Sequence, residues 1–540
     1  MAESDPRKPP TKPSHLLADE KEANKALAEL TVLDPLHAVV DATASLNSLE
    51  LATSFGIGQR LKLVSSLDET VQRGLAQVLS AFLGLQAGQA QGTFPQWQAL
   101  HDYWGQLGAA YGFCVEALVH NPRSGPVDRL PLLIVRSMRA LACQMKVDWT
   151  RYLPPQEAAW AAMVGHYKTA VKLQLVASPV TPYRADTDPT TPAMELAGAV
   201  MLQAAAPLSL SPRQVELVGR IASNLAASFD CSDQRAERCA LYIDLERPGP
   251  PAQVPAKLPA RAAPRYIGSG LAFSKLKGLL EHVKAHGPAF LQERFGPEFS
   301  AAEKIAIMEH LLRYWGDAPP SRQHVRTNLQ AAIKVVVGLE AIKGVLAPAE
   351  IAGAAPQPQA LSFDGDAKPA ANPVFAAATD AWKLTDFNAH GLGAGFARRP
   401  EGWLRIGSPF IFKLERAQNW CLAVVRRLQT DERNQTEVGA QILSRAAAWV
   451  RLETSGAQSL STLSFDGDGQ TADRAPATLP GRAVLLPADP ELKNQPSLLL
   501  EPGTSAPAQV ATMRLGETSQ RIELGEVIER GDGFERVAFK

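Results

Sequence analysis

The sequence predicts a multidomain α + β protein, with an N-terminal all-α helical domain followed by an antiparallel β-barrel and a second small β module. Three observations lead to this prediction. Apolar residues recur mostly at helical spacing over residues 23–227. Short β-like runs, broken by Gly, Pro and Asn, occupy residues 382–444. Runs of the same kind return from residue 478 to the end.

Length and charge limit what the chain can be. At 540 residues it exceeds what one hydrophobic core usually serves, so several domains are expected. Lys plus Arg and Asp plus Glu are equal at 55 each, so the protein as a whole has no net field that attracts polyanions. We therefore expect no nucleic-acid partner, and any anion site should be local.

The cysteines and the hydropathy pattern indicate a cytoplasmic protein without membrane insertion. Five cysteines, odd in number and unevenly spaced, are not typical of a disulfide framework. Residues 1–20 lack the charged-then-apolar order of a signal peptide and are predicted to be a disordered polar tail. A membrane span requires about eighteen uninterrupted apolar residues, and no stretch of the sequence approaches that length.

Residues 21–246 are predicted to form the helical domain. Ser211 as N-cap and Pro212 at the first helical position mark the start of one helix. The Trp and Tyr residues of this region are interpreted as core packing and not as a platform for stacking bases. A helical stripe is predicted from the spacing of Val71, Leu75, Val78, Leu79, Phe82 and Leu83.

A proline-rich stretch follows the helical domain. Residues 247–265 are predicted to be a linker, because proline neither continues a helix nor donates to a strand ladder. Residues 266–318 are predicted to be a further helical segment. There Ser300 and Glu303 form a capping box ahead of an apolar helical stripe.

The β-rich part is predicted to contain two modules. Residues 319–455 are assigned to the barrel, with a buried strand at 331–342, where a helix remains possible. The Ala/Pro-rich segment 346–379 is predicted to be a disordered insertion that folding does not require. Residues 478–540 are assigned to the C-terminal β module, which ends in a hairpin with its turn at 530–533.

Two short motifs frame the first barrel. Arg322 and Arg326 lie four residues apart, immediately before a predicted strand. Asp386, Asn388 and Gly391 belong to the sequence DFNAHG at the end of another predicted strand. Each motif alone is a weak signal, because solvated pairs of charged side chains at such spacing are common. The order of the two motifs and their positions beside predicted strands are more specific than either motif alone.

In this order the motifs resemble the signature of the PilZ family of cyclic-di-GMP receptors. That signature is RxxxR just before the first barrel strand, followed downstream by [D/N]xSxxG. The resemblance covers residues 320–450 and departs from the family in two ways: Asn388 stands where Ser is usual, and the segment 346–379 separates the motifs more widely. It implies a PilZ-like barrel that binds cyclic-di-GMP, with no catalytic residue, metal or cofactor.

The residue types suit such a ligand chemically. Arg322 and Arg326 carry planar, permanently charged guanidiniums that can fork onto phosphate oxygens or guanine O6 and N7. Asp386 can accept from guanine N–H groups, and Asn388 can bond base or phosphate. Gly391 can let the backbone approach closely or adopt a positive φ.

We expect a receptor that transmits ligand binding to the helical domain, whose surface contacts a protein partner. The arginine pair lies on the tether between the helical part and the barrel, so closing it over a ligand would reorient the two parts. The alternative is a degenerate PilZ-like scaffold or adaptor that no longer binds nucleotide, which Asn388 favours. A third interpretation, an enzyme with a pocket among the helices, requires perturbed carboxylates or histidines in a cleft.

Two other patterns have simpler interpretations. The glycine alternation over residues 391–395 lacks the spacing of a dinucleotide-binding loop and leads into β-like sequence. Cys231 and Cys239 bracket a short polar segment, but no second Cys or His pair follows at zinc-site spacing. We therefore interpret them as ordinary thiols.

Overall fold

The structure is a computed structural model. It describes residues 17, 20–51, 55–85, 92–320, 326–347, 380–397, 403–414, 417, 419–431, 433, 435–454, 479 and 481–540. The chain divides into two units, Met1–Ser321 and Arg322–Lys540. The predicted tail 1–20 and the predicted insertion 346–379 lie outside the described residues, except for four positions at their edges or within them: Leu17, Glu20, Leu346 and Ala347.

The first unit begins with eight α-helices among its described residues. They are α1 (Glu20–Leu30), α2 (Pro35–Leu51), α3 (Ile57–Phe82), α4 (Phe94–His120), α5 (Leu130–Trp149), α6 (Glu157–Lys172), α7 (Pro192–Ala204) and α8 (Pro212–Leu225). α8 begins at the predicted cap, where Ser211 and Gln214 form a reciprocal capping box. The helices share one apolar core, which contains the predicted stripe of α3.

Most Trp and Tyr residues of the helical region belong to this core. The most enclosed of them are at most 1% exposed, namely Tyr103, Tyr111, Trp160 and Tyr167. Rings without accessible faces cannot stack on bases. The interpretation as core packing is therefore the one that the burial supports.

A small antiparallel sheet follows α8. Its strands are β1 (Asp230–Ser232), β2 (Leu241–Asp244), β3 (Ala252–Gln253) and β4 (Pro264–Gly268), in the order β1-β4-β2-β3. The sequence predicted helix to residue 246 and a linker at 247–265, and the structure has strands in both. Proline is tolerated at the first position of a strand, where Pro264 stands, and Ile243 and Ile267 are buried in the helical core. Proline content could not predict this burial, because it depends on residues far away in the sequence.

Two more helices complete the first unit. They are α9 (Gly270–His286) and α10 (Ala301–Tyr314). α10 begins at the predicted capping box of Ser300 and Glu303. None of the helices within the described ranges combines the length and the apolar content that a bilayer crossing needs.

The second unit contains a closed six-stranded antiparallel barrel. Its strands are β5 (Thr327–Val337), β6 (Asp380–Asn388), β7 (Gly391–Ala397), β8 (Pro409–Leu414), β9 (Cys421–Thr430) and β10 (Gln435–Ser444). Around the barrel the order is β5-β6-β7-β10-β9-β8. The predicted strand 331–342 ends at Val337, because Gly338 has a φ of 91° and is followed by helix α11 (Leu339–Leu346).

A second closed barrel follows in the same unit. It is formed by β11 (Ala448–Thr454), β12 (Arg482–Leu486), β13 (Ser497–Leu500), β14 (Val510–Leu515), β15 (Thr518–Gly531) and β16 (Phe534–Phe539). The sequence assigned residues 448–454 to the first barrel, but β11 pairs with β12 and β14. The predicted fold class is confirmed: a helical region precedes two antiparallel β modules, and both modules are closed barrels.

The two barrels share a hydrophobic core. α11 contributes Leu339, Ile342 and Leu346 to this core, which also includes residues of both barrels such as Ile411 and Phe534. Polar contacts surround it: Ser408 Oγ lies 2.8 Å from Asp532 Oδ2, and Arg426 pairs with Glu529. The barrels therefore form one packed body within the second unit.

Candidate functional site

Four of the five predicted site residues meet at the β6–β7 end of the first barrel. Arg326 directly precedes β5, while Asp386 and Asn388 end β6 and Gly391 begins β7. β5 and β6 are paired antiparallel, with Asn328 opposite Asp386, so residues 60 positions apart become neighbours. Arg322 lies outside the described residues.

Arg326 and Asp386 form a close ion pair. Arg326 Nη1 donates to Asp386 Oδ1 over 2.6 Å, and the two side chains are 18% and 20% exposed. A charge-assisted hydrogen bond at this distance is stronger than a neutral one, and partial burial protects it from salt. The pair still presents part of each charged group to solvent, where a polar ligand can reach it.

Asn388 shapes the turn between β6 and β7. Its Oδ1 accepts from the backbone N–H groups of His390 (3.0 Å) and Gly391 (2.9 Å). Asn and Ser both make such local side-chain-to-backbone bonds, although Ser makes them more weakly. Asn388 therefore makes the same kind of side-chain-to-backbone hydrogen bond that a Ser at this position can make.

Gly391 is required by close packing. A Cβ at this position would lie 2.7 Å from Arg326 Nη2 and 2.8 Å from the carbonyl oxygen of Ala440. The second contact is with backbone, which cannot move aside easily. Any larger residue here would displace the Arg326 guanidinium or separate β7 from β10.

Sequence reasoning missed Gly393, which lies directly opposite Asp386 on β7. A Cβ at Gly393 would lie 2.8 Å from both carboxylate oxygens of Asp386. The signal was present as glycine at every second position of residues 391–395, with Leu392 and Ala394 between them buried in the barrel. A period of two is typical of a strand with one bare face.

A second polar cluster lies inside the helical unit. Asp68 has no exposed surface and accepts from the hydroxyl of Tyr111 over 2.7 Å, while Arg136 Nη1 lies 3.7 Å from its Oδ2. Burial raises the pKa of Asp68, and the Tyr111 hydrogen bond and the Arg136 charge oppose that rise. Because Asp68 and Tyr111 are enclosed, their contacts form an internal hydrogen-bond network of the core.

The described residues contain no group of three or more His, Cys, Asp or Glu side chains arranged to hold a metal ion. The site at the β6–β7 turn instead offers a guanidinium, a carboxylate, an amide and bare backbone. These groups recognise phosphate oxygens and the edges of a purine.

The chain thus combines a helical domain with two β-barrels, and the first barrel has an Arg and Asp pair beside a turn closed by Asn388. Residues 21–236 match a family model described as the N-terminal domain of the cyclic-di-GMP receptor FimW. Residues 470–540 match the model of the FimW C-terminal β-barrel domain. The two models together cover more than half of the 540 residues, and the chain belongs to this family of cyclic-di-GMP receptors.

The search of curated proteins found no match to the chain. The matched segments lie on either side of the first barrel, which is the part that carries the PilZ resemblance. The resemblance predicted a cyclic-di-GMP receptor with a large helical N-terminal region, and the family models confirm that class.

Proposed function

We propose that this protein binds cyclic-di-GMP on the wall of its first barrel, through Arg322, Arg326, Asp386, Asn388 and Gly391. The observation that carries the proposal is the contact of 2.6 Å between Arg326 and Asp386 beside the Asn388 turn. Support comes from the position of one residue of each motif half, Arg326 and Asp386, which are 60 positions apart in sequence and in contact in the barrel.

Each group has a role toward the dinucleotide. The guanidiniums of Arg322 and Arg326 bind phosphate oxygens or guanine O6 and N7. Asp386 accepts from guanine N–H groups and orients Arg326 at the same time. Asn388 holds the turn, and Gly391, which has no Cβ, leaves room for the Arg326 guanidinium. The protein acts by binding, without a catalytic step or a cofactor.

Ligand binding is then transmitted to the helical unit. The support is positional: the boundary between the two units falls between Ser321 and Arg322, so the arginine motif begins where the second unit begins. A ligand that engages Arg322 and Arg326 differently in two arrangements of the units shifts the population between them. The helical unit is the output surface and contacts a protein partner.

The cysteines support a cytoplasmic location, where a second messenger is read. All five are free thiols: Cys114, Cys143, Cys231, Cys239 and Cys421. Burial raises the pKa of Cys421 to about 12 and that of Cys114 to about 11. Such thiols stay protonated at neutral pH and react slowly, and cysteines that remain unpaired are typical of reducing compartments.

Calorimetric titration of cyclic-di-GMP into the full chain tests the proposal. Arg326→Ala and Arg322→Ala should each weaken binding roughly tenfold to a hundredfold, since a charge-assisted bond contributes about 1.5–3 kcal/mol. Arg521→Ala is the matched control, because it removes an exposed guanidinium from β15 of the second barrel. Binding by this control should equal that of the wild type.

Two results would contradict the proposal. Absence of binding by the wild type favours the degenerate scaffold that makes only protein contacts. Equal loss of affinity in the control Arg521→Ala and in Arg326→Ala would mean that only net charge matters, and the site would then lie elsewhere.

A further inference from the structure

The carboxylate of Asp386 lies above the backbone of the neighbouring strand. Asp386 on β6 is directly opposite Gly393 on β7, so a side chain at position 393 would point to the same face as Asp386. An ideal Cβ at Gly393 would be 2.8 Å from Oδ1, 2.8 Å from Oδ2 and 2.9 Å from Cγ of Asp386. The whole carboxylate therefore occupies the space that any other residue would fill.

This space also decides where Arg326 lies. Asp386 reaches Arg326 over 2.6 Å from its position above Gly393, and Arg326 Nη2 lies where a Cβ of Gly391 would be. The ion pair thus extends across two glycines of one strand. A methyl group at position 393 would turn the Asp386 side chain away and separate it from the guanidinium.

We propose that Gly393 is a positioning residue of the ligand site. Its bare backbone holds the Asp386 carboxylate flat on β7, where it orients Arg326 and faces the guanine edge. This inference rests on the proposed binding of cyclic-di-GMP by Asp386 and Arg326. Gly393 lies outside both the RxxxR and the [D/N]xSxxG patterns, and it acts through Asp386 without touching the ligand.

The same strand provides a matched control. Gly395 is two residues further along β7 and therefore on the same face. A Cβ there would meet only the carbonyl oxygen of Thr436, at 3.8 Å, which is an ordinary contact. Gly393→Ala and Gly395→Ala thus make the same chemical change on the same strand, and only the first displaces Asp386.

Calorimetric titration of cyclic-di-GMP into the full chain should separate the two variants. Gly393→Ala should weaken binding by roughly as much as Asp386→Ala, about tenfold or more, and Gly395→Ala should bind within about twofold of wild type. In the Asp386→Ala background, Gly393→Ala should have no further effect, because the atoms it displaces are gone. The proposal is overturned if Gly393→Ala binds cyclic-di-GMP like the wild type. It is also overturned if the double variant Asp386→Ala/Gly393→Ala binds more weakly than Asp386→Ala alone.

Folding of the variants gives a second readout. Should Gly393→Ala alone fail to fold, the double variant Asp386→Ala/Gly393→Ala should fold, since it removes the clash. If both fail while Asp386→Ala and Gly395→Ala fold, the clash with Asp386 is not the cause and the inference is wrong.

A crystal structure of Gly393→Ala without nucleotide keeps this test independent of the proposed function. The Arg326–Asp386 contact should be lost in Gly393→Ala and retained in Gly395→Ala. An intact contact in Gly393→Ala overturns the positioning role even if the wild type binds cyclic-di-GMP. Loss of the contact together with a wild type that does not bind would instead contradict the proposed function alone.

Discussion

At the scale of single residues, Asn388 departs from the PilZ pattern and has a defined structural role in this chain. Its Oδ1 accepts from two successive backbone N–H groups, those of His390 and Gly391, and so closes the β6–β7 turn. A serine hydroxyl accepts from such groups more weakly. This turn also places Gly391 directly beneath the Arg326 guanidinium.

We expect Asn388→Ala to open this turn. Loss of the acceptor should lower the local stability by about 0.5–1.5 kcal/mol and weaken cyclic-di-GMP binding. Asn388→Ser should retain most of both, since it keeps an acceptor. Hydrogen exchange of the Gly391 amide and calorimetric titration measure the two effects. A serine variant as weak as the alanine variant would contradict the assigned role of the turn.

At the scale of elements, the corner between β10 and β11 joins the two barrels. Arg445 follows β10 and donates to both carboxylate oxygens of Asp489, at 2.6 and 2.7 Å, in the connection between β12 and β13. The two side chains are 7% and 2% exposed. Arg445 also contacts Glu491, which is 54% exposed. Removing one partner of a buried pair leaves the other charge uncompensated.

Asp489→Ala should therefore destabilise the barrel unit by about 3–5 kcal/mol. Glu491→Ala is the matched control on the same guanidinium, and its exposed carboxylate should contribute less than about 1 kcal/mol. Urea-dependent hydrogen exchange of peptides from β10 and β12 measures both in the full chain. Similar losses in the two variants would show that burial of the pair is not what matters.

The pH dependence follows from the same pair. Hydrogen bonds from Arg445 hold the pKa of Asp489 below its usual value. A carboxyl group with a lowered pKa in the folded state stabilises the fold above its unfolded pKa of about 4, and this contribution is lost as the pH falls below that value. The difference between wild type and Asp489→Ala should therefore shrink below about pH 4.

At the scale of the whole molecule, the chain consists of a helical unit and a unit of two barrels, and the arginine motif begins at their boundary. The two barrels share one core through α11, so the second unit is a single packed body. A ligand that engages the boundary residues can therefore act on the arrangement of the two units, provided that its affinity differs between arrangements.

Saturating cyclic-di-GMP should change the small-angle scattering profile of the full chain and the pattern of limited proteolysis. The physical reason is a shift between arrangements of two units joined at the arginine motif. Arg326→Ala at the same nucleotide concentration is the control and should give the profile of the protein without nucleotide. Superimposable wild-type profiles with and without ligand would exclude the proposed transmission.

The sequence by itself determined the features that depend on neighbours along the chain. Helical periodicity and the caps at Ser211 and Ser300 located helices, and glycine, proline and β-branched residues located the β-rich half. The order of two motifs sufficed for the resemblance to cyclic-di-GMP receptors.

Only the tertiary structure decided which distant residues meet. It paired proline-flanked segments into the sheet β1-β4-β2-β3 and assigned β11 to the second barrel. It also brought Arg326 onto Asp386 and set Gly393 beneath that carboxylate. Register in a closed barrel depends on pairs far apart in sequence and on which face each side chain buries, and no local pattern contains that information.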